Sequence, residues 1–372
     1  MKPVLVINSG SSSLKFQLIE DGKAKAKGLI EEIGSDNARL KHNGHEETRP
    51  AQDHDAALAW MLEKLDLANL QAVGHRVVHG GTKYTAPTIV DEDVEKGIEE
   101  LSPLAPLHNP VNLAGIRALR KLLPDVPQVA VFDTAFHATI PAVAATYALP
   151  VATAKEHGIR RYGFHGTSCQ YVTRRANLDN LIICHLGNGA SATAVHHGRS
   201  VDTSMGLSPL EGLVMGTRSG DLDPAVPFHL IRAGLDPAEI EGILTKQSGL
   251  RGLAGASDMR EVRAKAESDD AARLALDVYA YRIRKYIGSF LAVVPGVQAL
   301  VFTAGVGEND WRLRAEVCGP LAHLGIELDD DANRAAVGVD EPTSIGTGPV
   351  QVLVIPTDEE SEIAAQASAA VR

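Results

Sequence analysis

Two short polar turns carry residue types that can bind an anion. The first, Asn8–Lys15, reads NSGSSSLK and lies between the apolar runs VLVI and FQLI. Its small side chains let backbone N–H groups and hydroxyls approach a phosphate closely, and Lys15 supplies a positive charge. The second, His185–Ser191, reads HLGNGAS and lies about half a chain later, again after an apolar run. Either turn alone is explained as well by a plain hairpin, but two matched turns favour a duplicated fold that binds one polyphosphate.

Two arginines lie in segments that suit an anionic substrate. Arg76 lies in Gly74–Gly81, on a predicted strand with apolar neighbours, so its guanidinium needs a partner. When this motif is taken alone, a structural ion pair explains it as well as ligand binding does. Arg218 lies in Met215–Pro224, a loop dense in small residues, where the alternative is a turn whose aspartates cap a helix.

The remaining candidate functional residues can also be explained by simple structural roles. Asp133 follows a predicted strand, a position from which α/β proteins present catalytic carboxylates, although it could be a plain cap. His165 has glycines close on both sides that let a ligand pass, whereas an isolated histidine is usually structural. Glu359 begins a predicted helix, where the helix dipole favours a carboxylate in any case. Gly305–Asn309 and Asp258–Glu261 could be only a strand-to-helix turn and a helix start.

A mixed α/β fold that occurs twice must position these residues. The first part is predicted to contain strands at Val4–Ile7, Phe16–Ile19, Ala72–Val78 and Gln128–Phe132 and helices near Asp55–Leu65 and Leu113–Leu123. The second part is predicted to contain the hairpin Leu181–Val195, a packed helix through Tyr279–Val294, strands at Ala299–Phe302 and Val350–Ile355, and a terminal helix at Glu359–Val371. Thr357 and Glu360 have the spacing of a capping box at the start of that last helix.

Other nucleotide-binding classes fit less well. Gly187–Ala192 matches the loose dinucleotide pattern G-x-G-x-x-G/A, so a dehydrogenase is a rival interpretation. That pattern requires a helix directly after the turn, whereas Ser191–Val195 is typical of a strand. A dehydrogenase also leaves Asn8–Lys15 without a role. The Walker A motif is absent from the sequence, as are the glycine-rich loop and H-R-D motif of protein kinases.

Length and charge restrict the class of protein further. The 372 residues exceed one ordinary core and predict two domains with a cleft between them. A net charge of −11 argues against nucleic acid or an anionic membrane as partner. The longest apolar tract, Ile140–Ala154, contains two prolines and predicts no membrane span, and the first residues show no signal-peptide pattern, so we expect a cytoplasmic protein. The three scattered cysteines are expected to be reduced and mostly structural.

Taken in order, these segments resemble the acetate and propionate kinase family, within the superfamily of sugar kinases, heat-shock chaperones and actin. The resemblance extends along essentially the whole chain. Its most specific stretches are Asn8–Lys15, Gly74–Gly81, Phe132–His137, Gly163–Ser168, His185–Ser191, Val201–Pro224 and Thr303–Asn309. It implies an α/β, duplicated two-domain actin-like ATPase fold with an interdomain cleft. Residues 1–133 and the C-terminal helix 360–372 are expected to form the N-terminal lobe, and residues 134–359 the nucleotide-binding lobe.

The same resemblance implies roles for individual residues. Asn8 and Glu359 match residues that hold Mg²⁺, and Lys15 matches a lysine that reaches the nucleotide phosphates. The catalytic residues it implies are Arg76 and Arg218, which bind the carboxylate and steady the transferred group, the essential carboxylate Asp133, and the transition-state donor His165. It implies that ATP or ADP is bound by His185, Leu186, Gly187, Asn188, Gly189, Asp258, Met259, Arg260, Gly305, Val306, Gly307, Glu308 and Asn309. It implies that the substrate methyl group is surrounded by Val78, Leu107, Phe164 and Pro209.

The reaction implied by the resemblance is the reversible, Mg²⁺-dependent transfer of the ATP γ-phosphoryl group to acetate, with Mn²⁺ able to replace Mg²⁺. The products are acetyl phosphate and ADP, formed by direct in-line displacement without a phosphoenzyme. Val78 is expected to favour acetate over propionate, and the family implies a homodimer. The sequence departs from the family pattern at Ser9, Cys169 and Asp358, none of which has an assigned role. A non-catalytic nucleotide-binding module of the same superfamily stays open as an alternative, although it has no use for the two arginines.

Overall fold

The computed structural model describes residues 2–372, which form two compact units. Unit 1 contains the residues up to Ala138 together with Asp358–Arg372, and unit 2 contains Thr139–Thr357. The strands are β1 (Val4–Ser9), β2 (Ser13–Glu20), β3 (Lys23–Glu31), β4 (Ser35–His42), β5 (His45–Ala51), β6 (Ala72–Val77), β7 (Thr88–Ile89), β8 (Gln128–Phe132), β9 (Leu181–Leu186), β10 (Ala190–His196), β11 (Arg199–Thr203), β12 (Ala299–Thr303), β13 (Thr343–Ser344) and β14 (Gln351–Val354).

Helices connect and cover these strands. The α-helices are α1 (His54–Leu62), α2 (Glu92–Glu100), α3 (Asn109–Leu122), α4 (Ala142–Ala145), α5 (Val151–Glu156), α6 (Gly166–Ala176), α7 (Ala225–Arg232), α8 (Pro237–Gly242), α9 (Gly249–Ala254), α10 (Met259–Lys265), α11 (Asp270–Val293), α12 (Ala304–Asn309), α13 (Trp311–Cys318), α14 (Asp330–Ala335) and α15 (Glu359–Ala370). Short 3₁₀ turns lie at Ser102–Leu104, Ala135–Thr139 and Gly319–Leu324, and a π-helical turn lies at Ile243–Gln247.

The sheet of unit 1 has the strand order β5-β4-β3-β2-β1-β6-β8-β7. β1 is antiparallel to β2 and parallel to β6, which is in turn parallel to β8. Because successive side chains of a strand point to opposite faces, Leu5 and Ile7 join the core under α1 and α3, while Val4 and Val6 pack against α15. The helix α15 approaches β6 so closely that a Cβ at Gly74 would lie 2.8 Å from the side chain of Ile363.

The sheet of unit 2 repeats this pattern with the order β11-β10-β9-β12-β14-β13. β9 is antiparallel to β10 and parallel to β12, and β12 is parallel to β14. The run β11-β10-β9-β12-β14 therefore has the same strand directions as β3-β2-β1-β6-β8 in unit 1. The predicted duplication of one α/β unit is confirmed.

The predicted helices and strands are present, with boundaries shifted by a few residues. The N-terminal cap predicted for the last helix, α15, is wrong. The N-cap of α15 is Asp358, whose side chain accepts a hydrogen bond from Ser361 N at 2.9 Å. Thr357 instead contacts the Ser168 hydroxyl at 2.8 Å, and Glu360 forms an ion pair with Lys15. The predicted capping box is therefore not formed, because Asp358, one residue later, provides the cap.

The helix α11 and the three cysteines contribute to the protein interior. The long helix α11 buries Tyr279, Ile283, Ile287 and Phe290, which confirms that its apolar periodicity marks core packing. All three cysteines are buried and none forms a disulfide, as expected for reduced structural residues. Within residues 2–372, no helix combines the length and the apolar character needed to cross a membrane.

Candidate active site

In unit 1, the hairpin between β1 and β2 presents the first predicted anion-binding turn. Asn8 and Lys15 lie directly opposite each other in the antiparallel register. The turn is closed by Gly10 N, which donates to Ser13 O at 2.8 Å, and His54 Nε2 lies 2.7 Å from the Gly10 carbonyl oxygen. The turn is thus held from outside the hairpin by a side chain at the start of α1.

Arg76 and Asp133 come together because β6 and β8 are neighbouring parallel strands. Arg76 lies on β6, and Asp133 follows β8 directly. Arg76 Nε lies 3.0 Å from Asp133 Oδ2, Arg76 Nη2 lies 2.5 Å from the same oxygen, and Arg76 Nη1 lies 3.5 Å from Asn8 Oδ1. The carboxylate is almost fully buried, with 2% of the Asp133 side chain exposed, against 22% for Arg76. A pair this enclosed keeps its charges only because each stabilises the other.

Glu359, the first residue of α15, belongs to the same group of charges. Burial raises the pKa of its carboxyl to about 7, the Arg76 cation opposes that rise, and the Asp133 carboxylate adds to it. Next to it, Glu360 is ion-paired with Lys15. Asn8, Lys15, Arg76, Asp133 and Glu359 are therefore brought together within unit 1.

The oxygen atoms of this group fit a Mg²⁺ ion. Carboxylate and amide oxygens are hard ligands, and Mg²⁺ in phosphoryl-transfer sites is usually held by one or two carboxylates, waters and the substrate phosphates. Among residues 2–372, no group of three or more His, Cys, Asp or Glu side chains is placed to hold a metal ion. Asn8 and Glu359 thus suit a site that is completed by substrate, rather than a closed protein cage.

In unit 2, the hairpin between β9 and β10 forms the second predicted turn. Gly187 N donates to Gly189 O at 2.9 Å, and the chain continues as the strand β10. A helix would have to follow Gly189 in a dinucleotide-binding motif, so the hairpin excludes that interpretation. His185 lies on β9, where its Nδ1 lies 2.8 Å from the Ser168 hydroxyl.

His165 and Arg218 converge on Gly189 of this hairpin. A Cβ at Gly189 would lie 2.7 Å from Arg218 Nη2 and 3.3 Å from His165 Nε2. The His165 backbone is left-handed, with φ of 57°, and its ring stacks on His185 with 4.1 Å between the ring centres. His165 Nδ1 lies 3.0 Å from the Ser191 hydroxyl, which orients the other ring nitrogen toward Gly189.

Unlike Arg76, Arg218 has no carboxylate partner among the residues that the structure describes. Its Nη1 donates to the Pro209 carbonyl at 2.7 Å, and burial lowers the pKa of its guanidinium with no opposing anion. A half-buried cation held by a neutral oxygen keeps its capacity to bind an incoming anion. The arrangement therefore offers one uncompensated positive charge and one imidazole beside a phosphate-sized turn.

A cavity of about 1160 Å³ in unit 2 brings together most of the residues predicted to bind nucleotide. Predicted residues that line it are Gly187, Asn188, Asp258, Met259, Arg260, Gly305, Val306 and Asn309. Glu308 serves instead to brace α12, since its Oε1 accepts hydrogen bonds from Ala304 N and Thr357 N at 2.7 and 3.0 Å. Gly307 is buried in the same helix, and neither residue lines the cavity.

Two aromatic residues of the cavity wall were missed as candidates. Tyr279 and Trp311 both line it, one from the buried face of α11 and the other from the start of α13. The only sequence signal for Trp311 is its position two residues after the end of the motif Gly305–Asn309. Tyr279 has the periodicity of a core residue, so no pattern separates its two roles.

The four residues predicted to select the substrate methyl group differ in exposure. Val78 and Phe164 are buried, with 6% and 2% of their surfaces exposed. Pro209 is half-buried, and its carbonyl holds Arg218. Leu107, with 58% of its surface exposed, is open to solvent in unit 1.

Comparisons by sequence and by structure identify the same group of proteins as similar to this chain. The family model described as the acetokinase family matches residues 3–365. The chain is 54% identical to an acetate kinase of Streptomyces avermitilis over 99% of this chain and 97% of that one, and 53% identical to an acetate kinase of Thermotoga petrophila over 97% and 96%. The crystal structure of Porphyromonas gingivalis acetate kinase matches it with a TM-score of 0.95 at 41% identity, covering all of both chains. A propionate kinase of Francisella tularensis matches with a TM-score of 0.93 at 40% identity over 98% and 99%.

The similarity extends over the predicted fold as well as the motifs, since both solved structures superpose along essentially the whole chain. The two α/β units with duplicated sheets are thus the fold of these kinases. Because the family model spans nearly the whole sequence and full-length relatives are more than half identical to it, the chain belongs to the acetokinase family.

Proposed function

We propose that this protein catalyses the reversible transfer of the γ-phosphoryl group of ATP to acetate, giving acetyl phosphate and ADP. Support comes from full-length relatives that are named acetate kinases. The observation in this chain that carries the proposal is the convergence of Arg218 and His165 on Gly189, with Arg218 held by the neutral Pro209 carbonyl. A protein that binds nucleotide without catalysis has no need of the uncompensated positive charge of Arg218.

The physical obstacle to the reaction is electrostatic. A carboxylate must come within about 3–3.5 Å of a phosphoryl group that is itself anionic. Each pair of unit charges at 4 Å repels by about 1 kcal/mol in water and about 4 kcal/mol at an effective dielectric of 20. Fixed cations must offset this repulsion at the moment of transfer.

Arg76, Arg218 and His165 supply that compensation in the proposed mechanism. Arg218 and His165 stabilise the charge that develops on the equatorial oxygens of the transferred group. Arg76 binds the acetate carboxylate while Asp133 holds its guanidinium in one orientation. No general base is needed, because the attacking carboxylate is already ionised at neutral pH. The transfer is direct and in line, without a phosphoenzyme.

Asn8 and Glu359 are proposed to hold Mg²⁺, for which Mn²⁺ can substitute. The bound cation supplies charge neutralisation at the nucleotide phosphate oxygens. Glu359 would hold the cation in its ionised form, so its raised pKa of about 7 would couple cation binding to the loss of its proton. Lys15 is proposed to reach the same phosphates once its ion pair with Glu360 opens.

The nucleotide itself is assigned to unit 2. The turn His185–Gly189 is proposed to contact the phosphates. The cavity holds the rest of the molecule, and its lining includes Asp258, Met259, Arg260, Gly305, Val306 and Asn309. Selection for acetate over longer acids is assigned to Val78, Leu107, Phe164 and Pro209. One extra methylene changes binding by only about 1–3 kcal/mol, so propionate should remain a poorer substrate.

A coupled assay tests the proposal. Purified protein is incubated with ATP, Mg²⁺ and acetate, and acyl phosphate is trapped with hydroxylamine as the hydroxamate. We expect hydroxamate only when all three are present, and loss of the signal with EDTA. ATP binding without hydroxamate would identify the nucleotide-binding module instead. The homodimer is a separate proposal, tested by light scattering for twice the chain mass of 39.5 kDa.

A further inference from the structure

The backbone segment Ser204–Glu211 in unit 2 is held by a group of polar side chains with no assigned role. The segment has no helix or strand of its own. It carries Pro209, whose carbonyl oxygen accepts the hydrogen bond from Arg218 Nη1 at 2.7 Å. The position of that oxygen therefore decides where the guanidinium of Arg218 points.

Arg161 is the centre of this group. Its Nη1 donates to Ser204 O at 3.2 Å and to Met205 O at 3.0 Å, and its Nη2 donates to Glu211 Oε1 at 2.6 Å. One planar guanidinium thus binds both ends of the segment. Lysine cannot do the same, because its ammonium is a single point of attachment.

Tyr147 closes the group on the other side. Its hydroxyl donates to Glu211 Oε2 and accepts a hydrogen bond from Leu207 N at 3.1 Å. The Glu211 carboxylate is therefore shared between Tyr147 and Arg161. Both oxygens of Glu211 are satisfied, which makes the arrangement a connected network rather than an isolated surface ion pair.

Gly206 shows how closely the network surrounds the segment. A Cβ there would lie 1.7 Å from Glu211 Oε2 and 2.0 Å from the Tyr147 hydroxyl. On its other side, the Gly206 carbonyl accepts hydrogen bonds from Tyr162 N at 3.0 Å and Gly163 N at 3.3 Å. The chain at this point is fixed by contacts that only glycine permits.

We propose that Tyr147, Arg161 and Glu211 are positioning residues that fix the segment Ser204–Glu211 and, through the Pro209 carbonyl, the guanidinium of Arg218. This inference rests on the proposed function, in which Arg218 acts on the transferred group. In the described part of the chain, the guanidinium of Arg218 makes no other hydrogen bond, while the Arg218 backbone carbonyl accepts from Met215 N at 3.2 Å. A displacement of a catalytic group by about 1 Å can cost about 100-fold in rate, so a small shift of this segment is enough to matter.

Kinetics of Tyr147→Phe test the proposal, with Tyr162→Phe as the matched control. Tyr162 lies in the same unit, and its hydroxyl donates to Gly158 O at 2.8 Å, outside the network. We expect Tyr147→Phe to lower kcat about tenfold, with KM for ATP unchanged within about twofold. Tyr162→Phe should keep the wild-type kcat, and Arg161→Lys, which loses two carbonyl contacts, should lower kcat further than Tyr147→Phe does. Equal kcat values for Tyr147→Phe and Tyr162→Phe would overturn the proposal, as would a loss explained wholly by KM for ATP.

Hydrogen exchange separates this inference from the proposed function. If the wild-type protein forms no acetyl phosphate, the proposed function fails, but the exchange rate of the peptide Met205–Leu210 still reports on the network. We expect faster exchange in Tyr147→Phe than in Tyr162→Phe at equal global stability. Unchanged exchange in Tyr147→Phe would show that the hydroxyl does not hold the segment.

Discussion

The guanidinium of Arg76 donates to both oxygens of the Asp133 carboxylate, with Nε 3.0 Å from Oδ2 and 3.2 Å from Oδ1. Within residues 2–372, the Arg218 guanidinium has no carboxylate partner and donates to the Pro209 carbonyl. The two arginines that the family pattern pairs are therefore in opposite electrostatic settings. Asp133 balances part of the Arg76 charge and fixes its orientation, whereas Arg218 keeps its positive charge for an incoming anion.

The Arg76–Asp133 pair leads to a prediction for Asp133→Asn. The substitution keeps the shape but removes the anion, which leaves a largely buried Arg76 without its counter-charge. We expect kcat to fall by about 100-fold or more and the Mg²⁺ dependence to change, because Arg76 is then free to turn toward Asn8 or Glu359. A Mg²⁺ titration of initial rates measures both effects. Normal activity with an unchanged metal requirement would remove Asp133 from the site.

Arg218→Ala should have the largest effect of any single change in unit 2. An arginine that stabilises a transferring phosphoryl group typically contributes about three to five decades in rate. We expect a loss of that order in kcat, with thermal unfolding nearly unchanged because the described residues form no ion pair with Arg218. Steady-state rates and a melting curve of the same preparation give the comparison. Near-normal turnover in a folded variant would contradict the assignment.

Gly189→Ala tests whether the positions of Arg218 and His165 require residue 189 to have no side chain. The added Cβ would lie 2.7 Å from Arg218 Nη2, so the guanidinium must move. We expect kcat to fall at least tenfold. The control is Gly288→Ala, on α11, where a Cβ meets nothing within 4 Å. That variant should keep full activity and gain up to about 1 kcal/mol of helix stability. Equal rates for both variants would show that the contact at Gly189 is unimportant.

Sequence patterns predicted the elements that carry the site because those elements are buried. β1, β8, β9 and β12 are continuous apolar runs bounded by glycine or polar residues, and the sheet register then brings Arg76 to Asp133. The strands β3, β4 and β5 were not predicted, since they are largely exposed and rich in charged residues. Their pairing is decided by neighbouring strands rather than by their own composition.

The network around Glu211 could not be predicted for a different reason. Tyr147, Arg161 and Glu211 are far apart in the sequence, and although Glu211 lies within the motif stretch Val201–Pro224, no spacing pattern links the three residues. Only the fold shows that Tyr147 and Glu211 meet over Gly206 and that Arg161 binds Glu211. Long-range polar contacts leave no periodic signal, whereas hairpins and buried strands do.

Val78→Ala should relax the preference for acetate. Val78 is 6% exposed, and removing two methyl groups makes room for one more methylene of substrate. We expect kcat/KM for propionate to rise relative to acetate by about tenfold, within the range that one methylene allows. Val90→Ala is a matched control, since Val90 is also 6% exposed and lies in the core of unit 1. A change in selectivity for both variants, or for neither, would exclude Val78 as the selective residue.

Histidines in unit 1 should make stability depend on pH. His75 is buried, its Nε2 lies 2.8 Å from Gln128 Oε1, and burial lowers its pKa to about 4. The unfolded chain binds a proton near pH 6.5 and the folded one does not until about pH 4, so stability is lost as the pH falls through this window. From pH 7 to pH 5 this amounts to about 2 kcal/mol for one such histidine.

The measurement is the urea midpoint of unfolding at pH 7 and pH 5, compared between wild type and His75→Gln. The variant should lose less stability on acidification, because glutamine cannot gain the proton. Burial also lowers the pKa of His79 to about 4, so part of the dependence should remain. His45→Gln, at an exposed position on β5, should behave as the wild type does. An identical pH dependence in wild type and His75→Gln would mean that His75 becomes protonated in the folded protein, and that burial on β6 does not exclude the charge.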